Sequence, residues 1–84
     1  MNKNIKLNIN FDTQKAEKMQ NMFKNCTSLT SLNISTFNTV NCKNFTDMFE
    51  KDEGLDLYFD FKTCSNLISE IPSYVKTHDT SESQ

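Results

Sequence analysis

The sequence predicts an α/β fold, a short leucine-rich-repeat-like solenoid of about two to three repeats of roughly 26 residues, in which parallel strands alternate with short helices. Matching residues recur 26 positions apart, which indicates a repeated structural unit. Within each unit, one segment alternates apolar and polar residues, and the next places apolar residues at helical spacing. With 84 residues, the chain has room for one domain.

The repeat is clearest in two short motifs. FDT at residues 11–13 recurs as FNT at residues 37–39, and MF at residues 22–23 recurs at residues 48–49. A third, divergent copy begins at Leu55. One such unit cannot bury its apolar face alone, so we expect successive units to stack and share a continuous core.

Three segments carry the period-2 alternation of a half-buried strand. The first runs from Ile5 to Phe11, the second covers residues 32–35, and the third runs from Leu55 to Phe61. Successive strands that are separated by a helix must run parallel. The sequence therefore predicts one parallel sheet whose Leu, Ile and Phe side chains point inward.

Between these strands, apolar residues recur at the i, i+3 and i+4 positions of a helix. The two stripes consist of Met19, Met22 and Phe23, and of Phe45, Met48 and Phe49. Thr13 and Asn41 are candidate N-caps, and a third short helix is predicted around Leu67, before Pro72. A Met-rich stripe can form a binding groove, but at this spacing it more often forms the core face of a helix, and we interpret it so.

The segment MFKNCTSLTSLNISTFNT, residues 22–39, resembles the BspA-like leucine-rich repeat of bacterial and protist surface proteins, in which M-F-x-x-C-x-x-L-x-x-L-x-(L/I)-S-x-F-x-T recurs. The matching positions are Met22, Phe23, Cys26, Leu29, Leu32, Ile34, Ser35, Phe37 and Thr39. The match is close over residues 19–49, whereas the next copy has Asp52 at the Cys position. The resemblance implies a stacked-repeat fold. The long, secreted members of that family act in adhesion, so the alternative is that this chain is a fragment of a BspA-like surface adhesin.

The ends of the chain differ in character. Residues 1–76 are predicted to form the single repeat domain, and the polar residues 77–84 (THDTSESQ) a disordered tail. The first strand is expected to expose one edge, through which two copies can pair as a homodimer.

Residues 1–45 carry six Lys against two acids, a net charge of +4, and residues 46–84 carry three Lys against nine acids, a net charge of −6.

Composition argues against several classes of function. All nine basic residues are Lys, whereas bidentate reading of bases is a task of Arg, so no direct sequence-specific nucleic-acid binding is expected. The chain has neither the apolar run of a signal peptide nor a stretch of about 20 apolar residues. We therefore expect a cytoplasmic protein without membrane contact, or a secreted one if the chain is a fragment.

The sequence also lacks the groups that most catalytic sites use. The three Cys have no CxxC spacing, and the single His, His78, lies in the polar tail. We therefore expect no metal, no cofactor and no enzyme activity. A redox or metal role of Cys26, Cys42 and Cys64 is a third alternative, which thiol titration and metal analysis would test.

The candidate site is the outward face of the strands, where solenoids commonly bind partners. The residues predicted to bind a partner are Asn8, Asn10, Asn33, Ser35, Asp56, Tyr58 and Asp60, together with the acidic Glu50, Asp52 and Glu53. The acidic residues favour a protein partner with a basic surface. The alternative interpretation is that these are ordinary solvated positions.

Taken together, these features predict a non-catalytic protein-protein interaction module. We expect a small intracellular adaptor or inhibitor that occludes a larger partner. The size and the acidic half would fit an inhibitor encoded by a phage or another mobile element and directed at a host nucleic-acid-handling enzyme such as a CRISPR nuclease.

Overall fold

The computed structural model describes residues 5–9 and 13–82. These residues form one sheet of four parallel strands in chain order, namely β1 (Ile5–Asn8), β2 (Leu29–Asn33), β3 (Asp56–Phe59) and β4 (Lys76–Asp79). A 3-10 helix, Ser65–Glu70, lies between β3 and β4, and a shorter one, Thr80–Glu82, follows β4. The prediction of a short α/β solenoid with parallel strands is confirmed.

The solenoid is built from three coils, each of which begins with a strand. Coil 1 comprises the described residues between 5 and 28, coil 2 comprises residues 29–54, and coil 3 comprises residues 55–75. The sheet register places Leu7 beside Leu32 and Leu32 beside Leu57. Equivalent strand residues of successive coils are therefore 25 positions apart, close to the predicted repeat length.

β3 is shorter than the alternation predicted, and β2 ends before the predicted residue 35, because polar side chains at their ends start turns. Asn33, the last residue of β2, accepts a hydrogen bond from the backbone N–H of Ser35 through Oδ1, at 2.9 Å. Asp60, directly after β3, accepts one from the N–H of Lys62 at 2.8 Å. Such Asx turns divert the backbone from the sheet ladder.

The core lies inside the coils, between the sheet and the turns across from it. Leu32, Leu57 and Phe59 enter it from the strands and are fully buried. The turns across from the sheet contribute Met19, Phe23, Phe45, Met48 and Phe49. Aromatic rings of neighbouring coils stack here, with the Phe23 and Phe49 centroids 6.0 Å apart.

The two Met and Phe stripes predicted as helices are turns in the structure. Residues 20–25 and 46–51 form these turns, and in the first of them every second N–H group donates to coil 2 rather than four residues back. Met19 N–H donates to Asn44 O at 2.8 Å, for example, and Phe23 N–H to Met48 O at 2.9 Å. Left-handed residues interrupt any helix here, at Asn21, Asn25, Asp47 and Lys51, with φ of 61°, 63°, 57° and 70°.

The repeated F-x-T motif has a structural role that the N-cap interpretation missed. The buried Thr13 hydroxyl donates to Asn38 O at 3.2 Å and accepts from Asn38 N–H at 3.0 Å, so it joins coil 1 to coil 2. One coil further, Thr63 Oγ1 donates to Phe37 O at 2.8 Å. These threonines satisfy backbone groups inside the stack, and Thr13 caps no helix.

The C-terminal region both follows and departs from the prediction. The helix expected around Leu67 is present as the 3-10 helix Ser65–Glu70, with Leu67 buried. Residues 77–82, assigned to a disordered tail, instead contain β4 and the turn after it. The correction has a physical cause: Lys76 N–H donates to Leu55 O at 3.0 Å, and pairing satisfies the edge of β3 without any apolar pattern in the added strand.

Candidate functional site

Two rows of outward side chains cross all four strands. The register aligns Lys6, Ser31, Asp56 and Lys76 in one row, and Asn8, Asn33, Tyr58 and His78 in the other. We call these eight residues the strand face. Each is at least partly exposed, because the intervening Leu32 and Leu57 point into the core. The prediction that Asn8, Asn33, Asp56 and Tyr58 share one face agrees with this register.

The most ordered feature of the strand face is an aromatic pair at its β3–β4 end. The Tyr58 and His78 rings stack with centroids 4.4 Å apart and an interplanar angle of 14°. His78 Nε2 lies 3.0 Å from Asp56 Oδ1. We call Tyr58 and His78 the aromatic platform. It offers a flat apolar surface whose rim carries a carboxylate and a phenol hydroxyl.

Sequence reasoning missed Lys76 and His78 because the last strand that it predicted ended at Phe61 and residues 77–84 were assigned to a tail. Neighbours on β3 and β4, such as Tyr58 and His78, are 20 residues apart, whereas those on β2 and β3 are 25 apart. The 3-10 helix shortens coil 3, so a search at a fixed offset passes over β4. An available signal was the preceding Val75, which is buried and anchors the entry to β4.

The remaining predicted face residues lie beyond the strands or outside the description. Ser35 and Asp60 follow β2 and β3 and are half-buried in the turns that end those strands. Asn10 lies outside the described residues. The site is therefore two residues deep along each strand rather than three.

The acidic residues around position 52 do not form one surface. Glu50 Oε1 lies 3.1 Å from Lys24 Nζ in an ion pair, and Glu53 is exposed. Asp52, predicted to face a partner, is instead completely buried. The prediction of Asp52 as a contact residue is corrected by this placement, since a side chain with no accessible surface cannot touch a partner.

Asp52 joins coil 2 to coil 1. Its Oδ1 accepts a hydrogen bond from Cys26 N–H at 2.9 Å, and its Oδ2 is buried without a hydrogen-bond partner among the described residues. Burial raises the pKa of Asp52 to about 6, against the opposing effect of the Cys26 N–H. Asp52 occupies the repeat position of Cys26, 26 residues later, and its role there is structural.

All three cysteines lie in the described part of the chain. Cys26, Cys42 and Cys64 are free thiols, and burial raises the pKa of Cys26 and of Cys64. Among residues 5–9 and 13–82, no three His, Cys, Asp or Glu side chains are grouped so that they could hold a metal ion. Within those same ranges, no helix has the length and apolar character to cross a membrane.

Comparison with known proteins gives one family. The family model described as "Mycoplasma protein of unknown function, DUF285" matches residues 1–67. No curated protein and no solved structure matches the chain. The matched region contains β1, β2 and β3 and ends at Leu67, so it covers the repeats but not β4. This finding supports an uncharacterised repeat family, and it does not single out the BspA-like repeats.

Proposed function

Because the chain belongs to the family described as Mycoplasma protein of unknown function, DUF285, which assigns no activity, we propose a function from the structure itself: a non-catalytic protein-binding module that holds its partner on the strand face. The observation that carries the proposal is the aromatic platform. Tyr58 stacks on His78, with ring centroids 4.4 Å apart, at the β3–β4 end of an otherwise polar surface.

The platform has the properties of an interface anchor. Tyr combines a large apolar area with a hydrogen-bonding hydroxyl and has few rotatable bonds, so little conformational entropy is lost on binding. Stacking on His78 and the backbone pairing of β3 with β4 hold the ring in place before a partner arrives. Preorganisation of this kind raises affinity by lowering the cost of ordering the interface.

The rest of the strand face supports recognition of a polar protein surface. Asn8 and Ser31 offer both donors and acceptors, Lys6 borders them with positive charge, and Lys76 adds positive charge on the edge strand β4. The face therefore carries both signs of charge, since Asp56 lies between Ser31 and Lys76 in the same row. Such a mixed surface favours specificity through hydrogen bonds and paired charges.

Fewer of the predicted acidic residues are available to contact a basic partner than the sequence indicated. Asp52 is buried, Glu50 pairs with Lys24, and Asp56 lies beside His78. Glu53 and Asp60 are the remaining acidic positions for such contacts. The adaptor or inhibitor role, the cytoplasmic location and the nuclease target stay predictions, as does the adhesin alternative.

The test is affinity capture from the native cell with the wild-type chain and with Tyr58→Ala plus His78→Ala. Both side chains are partly exposed, so the double variant should keep its circular-dichroism spectrum. Loss of an aromatic anchor typically costs about 2 kcal/mol or more, which is roughly a 30-fold change in affinity. We expect the captured partner to fall by at least about tenfold.

Val40→Ala is the matched control, because Val40 is 67% exposed in a turn away from the strand face. It should capture the partner as well as the wild-type chain does. Equal capture by the folded double variant, or equal loss with Val40→Ala, would remove the strand face as the binding surface.

A further inference from the structure

Coil 1 presents an apolar end that coil 2 does not. Ile5 and Leu7 are 47% and 41% exposed, whereas Leu32, the register partner of Leu7, is fully buried. On the turn side Met22 is 40% exposed and its repeat partner Met48 is 1% exposed. Of the described strands, β1 pairs with β2 alone. A groove of about 340 Å³ runs along this end, lined in part by Ile5, Leu7, Phe23 and Leu29.

The opposite end of the stack carries a second apolar groove. It measures about 260 Å³ and its apolar lining includes Phe61, Ile68, Ile71, Pro72 and Val75. Ile68 is 41% exposed. Within the described residues β4 pairs with β3 alone, so its outer edge also offers backbone groups. Both ends of the solenoid thus combine an open strand edge with exposed aliphatic side chains.

The two ends differ in charge. The described residues of coil 1 carry four Lys against Glu17, a net charge of +3. Residues 55–81 carry four acids against Lys62 and Lys76, a net charge of −2 with His78 neutral. Opposite charges at the two ends attract one end of a molecule to the other end of a second molecule and disfavour contact between like ends.

We propose that this protein associates with a second copy of itself head to tail, with β1 of one molecule pairing in parallel with the outer edge of β4 of the next. This arrangement continues the direction of the sheet and brings the apolar grooves of opposite ends together. Pairing of two β1 edges about a two-fold axis would instead be antiparallel and would bring two basic ends together. The interface is heterologous, so each added copy leaves one β1 end and one β4 end unpaired, and the assembly grows beyond a dimer.

Self-association of this kind is separate from partner binding on the strand face, which stays exposed along the assembly. It also refines the predicted edge-strand homodimer, because each contact uses β1 from one copy and β4 from the other. Electrostatic attraction between exposed ends is screened by salt. Assembly should therefore be strongest at low ionic strength and high protein concentration.

The experiment is sedimentation velocity of the wild-type chain over a concentration series, with two end variants. Ile5→Lys blocks the β1 end and Ile68→Asp blocks the β4 end, and each adds a charge of the sign that its end already carries. The wild type should give a series of species above the 9.7 kDa monomer, which shrinks as salt is added. Each variant alone should sediment as a monomer.

A mixture of the two variants decides the geometry. Each still has one intact end, so a 1:1 mixture should form heterodimers and nothing larger. Val40→Lys, which adds a charge away from both ends, should behave as the wild type does. A wild type that stays monomeric at hundreds of micromolar in low salt, a single closed dimer, or a dimer of Ile68→Asp alone would overturn the proposal. If either variant loses its folded spectrum, the salt dependence of the wild type decides, because association that strengthens with salt contradicts attraction between oppositely charged ends.

Discussion

Asp52 places a carboxylate in the core of the stack at the position where the preceding repeat has a thiol. Its Oδ1 satisfies the N–H of Cys26, so removal of the side chain would leave a buried donor without a partner. Its Oδ2 has no partner among the described residues, so the ionised form is poorly solvated. The residue therefore contributes one useful hydrogen bond at the expense of a buried charge.

The pH dependence of stability follows from this environment. An Asp whose folded pKa is about 6 binds its proton more tightly in the folded chain than in the unfolded one, where the value is about 3.9. The free energy of unfolding should therefore decrease as the pH rises from about 4 to about 6 and then level off. Asp52→Asn keeps the acceptor for Cys26 and removes the charge. We expect it to flatten this profile and to stabilise the chain at pH 7 by roughly 1–3 kcal/mol, as measured by urea unfolding at several pH values.

Glu53→Gln is the control for that measurement, because Glu53 is the exposed neighbour. At pH 7 it should change the free energy of unfolding by no more than about 0.5 kcal/mol, as is usual for an exposed substitution. An Asp52→Asn variant that kept the wild-type slope would show that another group titrates there.

The buried threonine hydroxyls of the F-x-T motif are hydrogen-bonded, in contrast to Oδ2 of Asp52. Thr39 is fully buried, and its hydroxyl has acceptors in Thr63 O and the Asn66 side chain. Asn66 in turn donates to the carbonyl groups of Thr39 and Cys42. The buried hydroxyl is thus fully paired by the exposed Asn66 and by a backbone carbonyl, and this network fixes the relative position of two coils.

At the scale of elements, the turns across from the sheet are what distinguish this coil from a strand-helix repeat. In the first of these turns every second backbone N–H group donates to coil 2. The left-handed residues recur at the same offset of 26 as the sequence motif, at Asn21 and Asp47 and at Asn25 and Lys51. Asn and Asp tolerate this conformation because their side chains hydrogen-bond locally. Lys51 lacks that compensation.

Lys51→Gly should therefore stabilise the protein. A non-glycine residue in the left-handed region costs roughly 1–2 kcal/mol, part of which is offset by the greater freedom of Gly in the unfolded chain. The Lys51 N–H, which donates to the Tyr74 hydroxyl at 2.9 Å, is kept by Gly. We expect a gain of roughly 0.5–1 kcal/mol in chemical denaturation.

Asn21→Gly is the matched change at a position where the native residue already tolerates φ of 61°. It should alter stability by only a few tenths of a kcal/mol. Lys51→Val should be destabilising, because a β-branched residue is strained at positive φ. A Lys51→Gly variant less stable than the wild type would show that the Lys side chain, and not its backbone, matters at this turn.

At the scale of the whole molecule, coil 3 ends the described stack in an abbreviated form. The Tyr74 hydroxyl donates to Phe49 O at 3.1 Å and accepts from Lys51 N–H. On the turn side, the Tyr74 side chain thus makes the hydrogen bonds to coil 2 that backbone groups make between coils 1 and 2. β4 completes the opposite side by pairing with β3.

Removal of residues 76–84 tests whether β4 is part of the folded unit. The shortened chain loses the pairing with β3 and exposes the edge beside Leu57, so we expect its melting temperature to fall by about 5 °C or more. A chain that ends at residue 82 keeps β4 and should melt as the full chain does. Equal melting temperatures for both truncations would restore the prediction of a disordered tail.

The sequence predicted the parts of the fold that depend on side-chain periodicity. The alternation of Leu, Ile and Phe specified which residues face the core, and the offset of 26 specified which segments lie side by side. The turns across from the sheet were misassigned because Met19, Met22 and Phe23 fit a helical stripe, and side-chain spacing does not reveal where backbone N–H groups donate. Left-handed Asn residues are the local signal that a helix is interrupted there.

The candidate site was predictable only to the extent that it lies on regularly spaced strands. Asn33 and Tyr58 follow from the alternation, whereas His78 reaches the platform through a shortened coil that changes the offset. The burial of Asp52 could not be predicted from composition, because acidic residues in a run are normally solvated. Asp52 is the exception because it occupies the repeat position of Cys26.

The hydrogen bonds that join successive coils on both sides determine how the chain would respond to a pulling force. If the two termini were pulled apart, the coils would unfold one at a time from an end, since the hydrogen bonds between neighbouring coils can break in sequence. Each release would lengthen the tether by roughly 90 Å, the extended length of about 26 residues. Held between two attachment points under tension, the protein would therefore extend in steps and limit the peak force.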